Sequence, residues 1–290
     1  MNNQNLLVSA KEQEISLIGV ETERPILIYT LHKCASMFIY RLARELCALK
    51  GINLYSINAP KRNQLQHAFD KFTSRLLGSY FPSKGIFCSD DRIPMWNQES
   101  GCIAPIRKWI KPPEPDKVNI VLHLRDPRDV LTSLYFSFAF HHPALPGLFN
   151  PSDEQRQEWQ NMGIDRFILE GRDQNDVKFS DRFLARYSEY CDHILDRSNA
   201  VFVKYEEMVS DFSAWLTKVV MPFDFPNEKN ITERLVLKFK DEFHTDKEDI
   251  FKHKRRITPG DYKEKLKPET IFKLNQMFAP ILKRLNYEVS

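Results

Sequence analysis

VLHLRDPRDVLTSLY, residues 121–135, changes character in its middle. With Asn119 and Ile120 before it, the first half is a compact apolar run of strand type that stops at Arg125. Pro127 suits the start of a helix, and the residues from Asp129 onward take helical spacing. An arginine at the end of a buried strand, beside a helix start, can present its planar fork to a phosphate in bidentate fashion. Ser133 lies two turns further on, where its hydroxyl can face the same anion. The plainer reading is an Arg125–Asp129 ion pair beside a helix cap.

A second segment repeats the pattern. PILIYTL, residues 25–31, reads as a buried strand, and a helical pattern runs from Ser36 to about Lys50. Its apolar residues Phe38, Ile39, Leu42, Leu46 and Leu49 recur at spacings of three and four, and Gly51 stops it. The turn between them is Leu31-His32-Lys33-Cys34-Ala35-Ser36-Met37-Phe38. Free N–H groups at a helix start point at whatever sits there, and the helix dipole adds about 0.3–1 kcal/mol for an anion. Cys34, Ala35 and Ser36 are small enough for a phosphate to approach the backbone, Ser36 adds a hydroxyl, and Lys33 adds a charge. The GxxxxGK[ST] loop of nucleoside-triphosphate enzymes is absent. An ordinary capped helix after a buried strand is the alternative reading of this turn.

Outward from these turns, KGIFCSD (84–90) and AVFVKYE (200–206) read as strands. Helices are expected over 61–80, 153–170, 181–197, 208–220, 230–242 and 268–286. Loops are expected over 112–116, 141–151 and 244–262. Residues 1–24 read as a poorly ordered start or an edge element, with a short strand near Ile15–Val20. Strands alternating with helices imply an α/β fold: a P-loop-like parallel sheet flanked by helices on both faces, one domain over 1–290. Ligands of such sheets sit at the carboxyl ends of strands.

A net charge of +3 gives no general field for polyanions, so any anion site is local. Five cysteines with no CxxC pair argue against a zinc site or disulfide framework and for a reducing compartment. No secretory leader, no membrane span and no metal site are expected, and a cytoplasmic location follows.

Lys33 with two small residues and Ser36, followed by Arg125-Asp126-Pro127-Arg128-Asp129-Val130-x-x-Ser133-x-Tyr135, resembles the cytosolic sulfotransferase family. These enzymes take sulfate from 3′-phosphoadenosine 5′-phosphosulfate (PAPS) and release adenosine 3′,5′-bisphosphate (PAP). Val203-Lys204-Tyr205-Glu206-Glu207-Met208 resembles the family's strand ending in Tyr-Glu-Asp. Arg255 to Lys263 resembles its C-terminal Arg-Lys-Gly-x-x-Gly-Asp-Trp-Lys, and the likeness spans about residues 25–285. The resemblance implies that Lys33, Cys34, Ala35, Ser36, Met37 and Phe38 hold the 5′-phosphosulfate. Lys33 would neutralise the bridging oxygen, and Phe38 would replace the tryptophan that packs on adenine. Arg125 and Ser133 would bind the 3′-phosphate, Tyr205 would touch the adenine edge, and Arg255 and Arg256 would close over the 3′-phosphate. The chain departs from the pattern at His32 for Pro, Ala35 for Gly, Met37 for Thr, Ile257 for Gly and Tyr262 for Trp. Alanine at 35 gives up the freedom to adopt φ > 0.

The family's base is a histidine in Lys-Thr-His-x-Pro after a strand. The matching stretch, Phe87-Cys88-Ser89-Asp90-Asp91-Arg92-Ile93-Pro94, holds none. Asp90 or Asp91 stands there as a carboxylate base or, equally, as a helix cap. His141 and His142 are reserve candidates in a substrate loop, and Phe138 and Phe140 are candidates to line the acceptor pocket. The implied function is in-line transfer of the sulfuryl group from PAPS to a hydroxyl or amine of a small molecule, with a cationic, alkaloid-like acceptor suiting two carboxylates. A P-loop-type kinase is disfavoured by the missing GK[ST]. A nucleotide- or RNA-binding protein using the basic stretches 61–75 and 252–256 is disfavoured by the near-neutral charge. The expected partner is therefore a small acceptor, with no nucleic acid and no membrane. No dimer motif is recognised at the C-terminus, so the oligomeric state is left open.

Overall fold

The computed structural model describes residues 24–57, 86–88, 100–141, 151–242 and 257–289. Among the described residues six parallel strands form one sheet: β1 (Ile26–Tyr29), β2 (Asn53–Ile57), β3 (Ile86–Cys88), β4 (Gly101–Ile106), β5 (Asn119–Leu124) and β6 (Ala200–Lys204), in the order β3-β2-β4-β1-β5-β6. All four residues of β1 are buried, as a strand covered on both faces requires. Alternate side chains then divide between two cores. Leu27 and Tyr29 pack with Ile120, Leu122 and Leu124 on one face, while Ile26, Ile28 and Val121 pack on the other.

Helix α1 (Ser36–Lys50) runs as its spacing predicts and ends at Gly51, whose φ of 78° is left-handed and whose N–H bonds the Cys47 carbonyl at 2.9 Å. It shares its face of the sheet with α6 (Phe212–Val220) and α7 (Glu228–Phe239), through Trp215, Leu216, Val219 and Phe239. The opposite face carries α2 (Pro127–Phe136), α3 (Asp153–Glu170), α4 (Phe179–Tyr190) and α9 (Pro268–Arg284). Two short helices, α5 (Tyr205–Ser210) and α8 (Asp261–Lys265), lie next to the carboxyl end of the sheet's β5–β6 side.

The expected architecture is therefore present, with boundary differences that have physical causes. The helix expected over 208–220 is two helices, because Asp211 (φ −144°) leaves helical geometry and caps α6 by accepting from the Ala214 N–H at 2.9 Å. The strand expected to reach Glu206 stops at Lys204, so Tyr205 and Glu206 open α5 instead. The helix expected over 181–197 ends at Tyr190 and continues as a π-helical turn, Cys191–Leu195. The strand expected near residues 15–20 and the helix expected over 61–80 lie outside the described residues.

Two strands had no counterpart in the sequence reading. β4 contains Gly101 and Pro105, residues that ordinarily interrupt strands. Gly101 is there for closeness: a Cβ on it would come within 2.8 Å of the Tyr55 ring and 3.3 Å of the Asn53 carbonyl oxygen on β2. Tyr55 is buried and cannot swing away. Replacing Gly101 by alanine is expected to cost about 1–3 kcal/mol through overpacking. A urea midpoint unchanged from the parent would contradict this account of the β2–β4 contact.

Candidate active site

β1 and β5 are neighbours in register, with Ile28 opposite Val121 and Tyr29 opposite Leu122, so the turns that follow them emerge side by side. In the first turn Lys33 (φ 68°) and Ala35 (φ 55°) are left-handed while the residues flanking each are not. Alternating handedness of this kind points successive N–H groups into one concavity, a nest that suits an anion. Ala35, at the N-cap of α1, makes no side-chain cap. The expectation that Ala35 would forgo a left-handed conformation is overturned. It adopts one without glycine's freedom, at a local cost of roughly 1–2 kcal/mol. Ser36 does not cap; its Oγ accepts from Arg107 Nε at 3.2 Å. Cys34 is buried beneath the turn, and burial pushes its thiol up to about 12, so it is no nucleophile at neutral pH.

In the second turn Asp126 caps α2, accepting from the Arg128 N–H at 2.9 Å, with Pro127 in the first helical turn. Arg128 is a buried strut: its guanidinium donates to Asp126 at 2.7 Å and to Asn275 Oδ1 at 2.7 Å, joining α2 to α9. Arg125 is also buried, but differently. It donates to the Lys33 carbonyl at 3.4 Å, approaches Asp129 at 3.3 Å, and lies over the Tyr205 ring at 4.4 Å. Its Nε has no hydrogen-bond partner among the described residues. Burial alone would weaken its hold on the proton. Tyr205, Asp129 and Glu206 outweigh this, and its pKa is raised. Glu206 in turn accepts from the Asp126 N–H at 3.0 Å and from the Tyr287 hydroxyl at 2.7 Å. Ser133 sits half-buried on α2.

Helix α4 lies across the carboxyl ends of three strands. Tyr187 donates to the Arg125 carbonyl at 2.5 Å, and Tyr190 to those of Thr30 at 3.0 Å and Ile106 at 3.3 Å. Arg186 donates to the Arg107 carbonyl at 3.1 Å. The Ile106 carbonyl also accepts from the Thr30 N–H at 2.8 Å. At the carbonyls of Arg125, Thr30 and Arg107, at or just past the strand ends, the helix supplies a donor in place of water.

The sequence candidates divide accordingly. Lys33, Cys34, Ala35, Ser36, Arg125 and Tyr205 are brought together. Met37 is exposed at the mouth, its sulfur 3.8 Å from Arg107. Phe38 is in the core, packed on Phe212, Trp215 and Phe239 at ring distances of 5.9, 6.2 and 5.3 Å. Phe138 packs on Trp159 and Phe179, and Phe140 on Tyr135 and Phe136, within the aromatic cluster under α3 and α4. His141 ends the π-helical turn Ser137–His141. Asp90, Asp91, His142, Arg255 and Arg256 lie outside the described residues. β3, the strand that precedes Asp90 and Asp91, is the outermost of the sheet, with β2 and β4 between it and β1. Three strand spacings put it about 14 Å from β1. The strand beside β1 on that side is β4, and the residue that follows β4 is Arg107. It was missed because β4 itself carries no strand signal. His123 on β5 is fully buried, and burial pushes its pKa down to about 3, so its ring is uncharged at neutral pH.

A model of the sulfotransferase domain matches residues 107–286. The chain belongs to the sulfotransferase family. The matched region of this sulfotransferase begins at Arg107 and includes the Arg125 turn and Tyr205; the Lys33 turn precedes it. Its enzyme class, a PAPS-dependent sulfotransferase, agrees with the expectation from the two turns. Among solved structures it is similar to a mouse sulfotransferase, SULT7A1, complexed with PAP. The TM-score is 0.52 at 16% identity, over 90% of this chain and 84% of that one. It is also similar to retinol dehydratase in complex with androsterone and the inactive cofactor PAP, with a TM-score of 0.44 at 12% identity, over 89% and 80%. No curated protein matches the chain in sequence.

Two outcomes follow from this geometry. Ala35→Gly relieves roughly 1–2 kcal/mol of left-handed strain and gives back about 0.4–1 kcal/mol in unfolded-chain entropy, so a net gain between about 0 and 1.6 kcal/mol is expected. A lower melting temperature would contradict the left-handed turn. Burial raises the Glu206 carboxyl above its usual 4.5, against the hydrogen bonds from Asp126 and Tyr287. The folded protein then holds this proton more tightly than the unfolded chain, so Glu206 lowers stability as pH rises from about 4.5 through the raised value. The stability of the parent relative to Glu206→Gln is expected to fall over that window, measured by denaturant titration between pH 4.5 and 7. A difference that grows with pH would contradict it.

Proposed function

We propose that this sulfotransferase moves the sulfuryl group of PAPS to a hydroxyl or amine of a small-molecule acceptor, with the donor's two phosphate ends divided between the two turns. The observation that carries the reading is the contact between them: Arg125 bonds the carbonyl of Lys33 while its own Nε is left, among the described residues, without a partner in a buried setting. A buried donor of this kind is costly unless an anion completes it. The Arg125 side suits the 3′-phosphate, and the left-handed Lys33 turn at the start of α1 suits the 5′-phosphosulfate.

When bound, PAPS supplies the sulfuryl group, whose sulfur takes the acceptor's lone pair as its bond to the 5′-phosphate oxygen breaks. The chain's part is alignment and charge. Lys33 and the α1 N–H groups face the leaving phosphate. Arg107 approaches the same place from β4, half-buried, its pKa lowered by burial, and with no carboxylate partner among the described residues. It is assigned to charge on the transferred group alongside Lys33. Asp90 and Asp91 stay the candidates for the acceptor's base on sequence grounds.

A small acceptor also fits a helix, α4, laid directly across the strand ends. No described helix is long and apolar enough to cross a membrane. Cys34, Cys47, Cys102 and Cys191 are buried free thiols, in keeping with a cytoplasmic setting.

Calorimetry with PAP, ATP and RNA tests the reading: PAP is expected to bind, and tight ATP binding without PAP binding would refute it. With labelled PAPS, Lys33→Ala and Arg107→Ala are each expected to lower turnover by roughly 10²–10³, as for loss of a transition-state charge stabiliser. Unchanged turnover in either variant would remove that residue from the chemistry.

A further inference from the structure

Asp129 reads in the sequence as the ion-pair partner of Arg125, but its shorter bonds go elsewhere. Its carboxylate is fully buried. Oδ2 accepts from the backbone N–H of Gly260 at 2.7 Å, and Oδ1 from that of Tyr262 at 3.0 Å. The Arg125 contact is longer, at 3.3 Å, outside the 2.7–2.9 Å usual for charge-assisted bonds. Gly260 (φ 85°) makes this possible. Its left-handed turn starts α8 without a side-chain cap, and Asp129 on α2 supplies the missing acceptor. The same short segment is held at two further points by residues that adjoin Arg125. The Tyr205 hydroxyl, whose ring lies under Arg125, donates to the Ile257 carbonyl at 2.8 Å. The Arg128 guanidinium lies over the Tyr262 ring at 4.3 Å.

We infer that Asp129 is a positioning residue that latches the segment Ile257–Tyr262 onto the Arg125 turn, so that the donor anchor and this segment keep one geometry. The inference rests on the reading of Arg125 as the donor's 3′-phosphate anchor. The latch bonds and the Arg125 contact use the same carboxylate. A phosphate that draws Arg125 toward itself can lengthen the weaker contact while the two backbone bonds hold the segment in place.

The test measures PAP affinity by calorimetry, with turnover at saturating PAPS, for Asp129→Asn, Gly260→Ala and the double variant. Asparagine keeps one acceptor and loses the second. Alanine at 260 opposes the left-handed turn from the other end, touching neither Arg125 nor the charge; its added Cβ meets nothing within 4 Å. Each single variant is expected to weaken PAP binding on the order of ten- to a hundredfold, with turnover at saturating donor changed far less, and the double to be little worse than the poorer single. If Asp129→Asn weakens PAP while Gly260→Ala binds it like the parent, Asp129 serves Arg125 alone and the latch is refuted. Should Asp129→Asn not fold, Gly260→Ala decides the question in the same way. A parent protein that does not bind PAP at all would overturn the donor reading and the latch together.

Discussion

A guanidinium buried at the end of a strand is the constraint around which the rest of this molecule is arranged. Taking Arg125 out of water costs several kcal/mol unless its surroundings return the loss. Three groups do so: the Asp129 carboxylate, the face of Tyr205 and the nearby charge of Glu206. None of the three serves Arg125 alone. Asp129 also holds Gly260 and Tyr262, Tyr205 holds Ile257, and Glu206 joins the Asp126 N–H to Tyr287 near the C-terminus. Neutralising one charge thereby ties α2, α5, α8 and the chain's end into one unit. Arg128, two residues beyond the Asp126 cap, has its charge engaged in structure through Asp126 and Asn275. That leaves Arg125 as the arginine of this turn with a donor to spare.

The second anion site depends on the first through the sheet. Parallel pairing of β1 with β5 sets their ends side by side, β5 running on to Leu124 past the Tyr29–Leu122 pair, and the Arg125 guanidinium reaches back to the Lys33 carbonyl. Helix α4 closes the far side by occupying strand-end carbonyls that would otherwise need water. The result is two anion-seeking turns with opposite characters. One is backbone-built around left-handed Lys33 and Ala35, joined by Arg107. The other is side-chain-built around Arg125.

The elements that position these turns were legible because β1 is an unbroken apolar run, β5 is broken only by Asn119 and His123, and α1 has a clean helical period and a glycine stop. What escaped was local. β4 hides behind Gly101 and Pro105, and with it went Arg107, whose importance comes only from lying beside Ser36 in space. The left-handed state of Ala35 is imposed by the strand-to-helix turn against the residue's own preference. The ion pair of Arg125 with Asp129 was visible as an i, i+4 spacing. The stronger bonds of Asp129 to Gly260 and Tyr262 join positions far apart in the chain, which spacing does not report.

The central claim is that Arg125 reads the phosphate that distinguishes PAP from ordinary adenine nucleotides. It is tested most directly by measuring the affinity of PAP and of adenosine 5′-monophosphate for the parent and for Arg125→Ala. The account predicts that the parent prefers PAP strongly and that the variant binds the two alike, because the 3′-phosphate has lost its partner. A variant that keeps the parent's preference for PAP would contradict it.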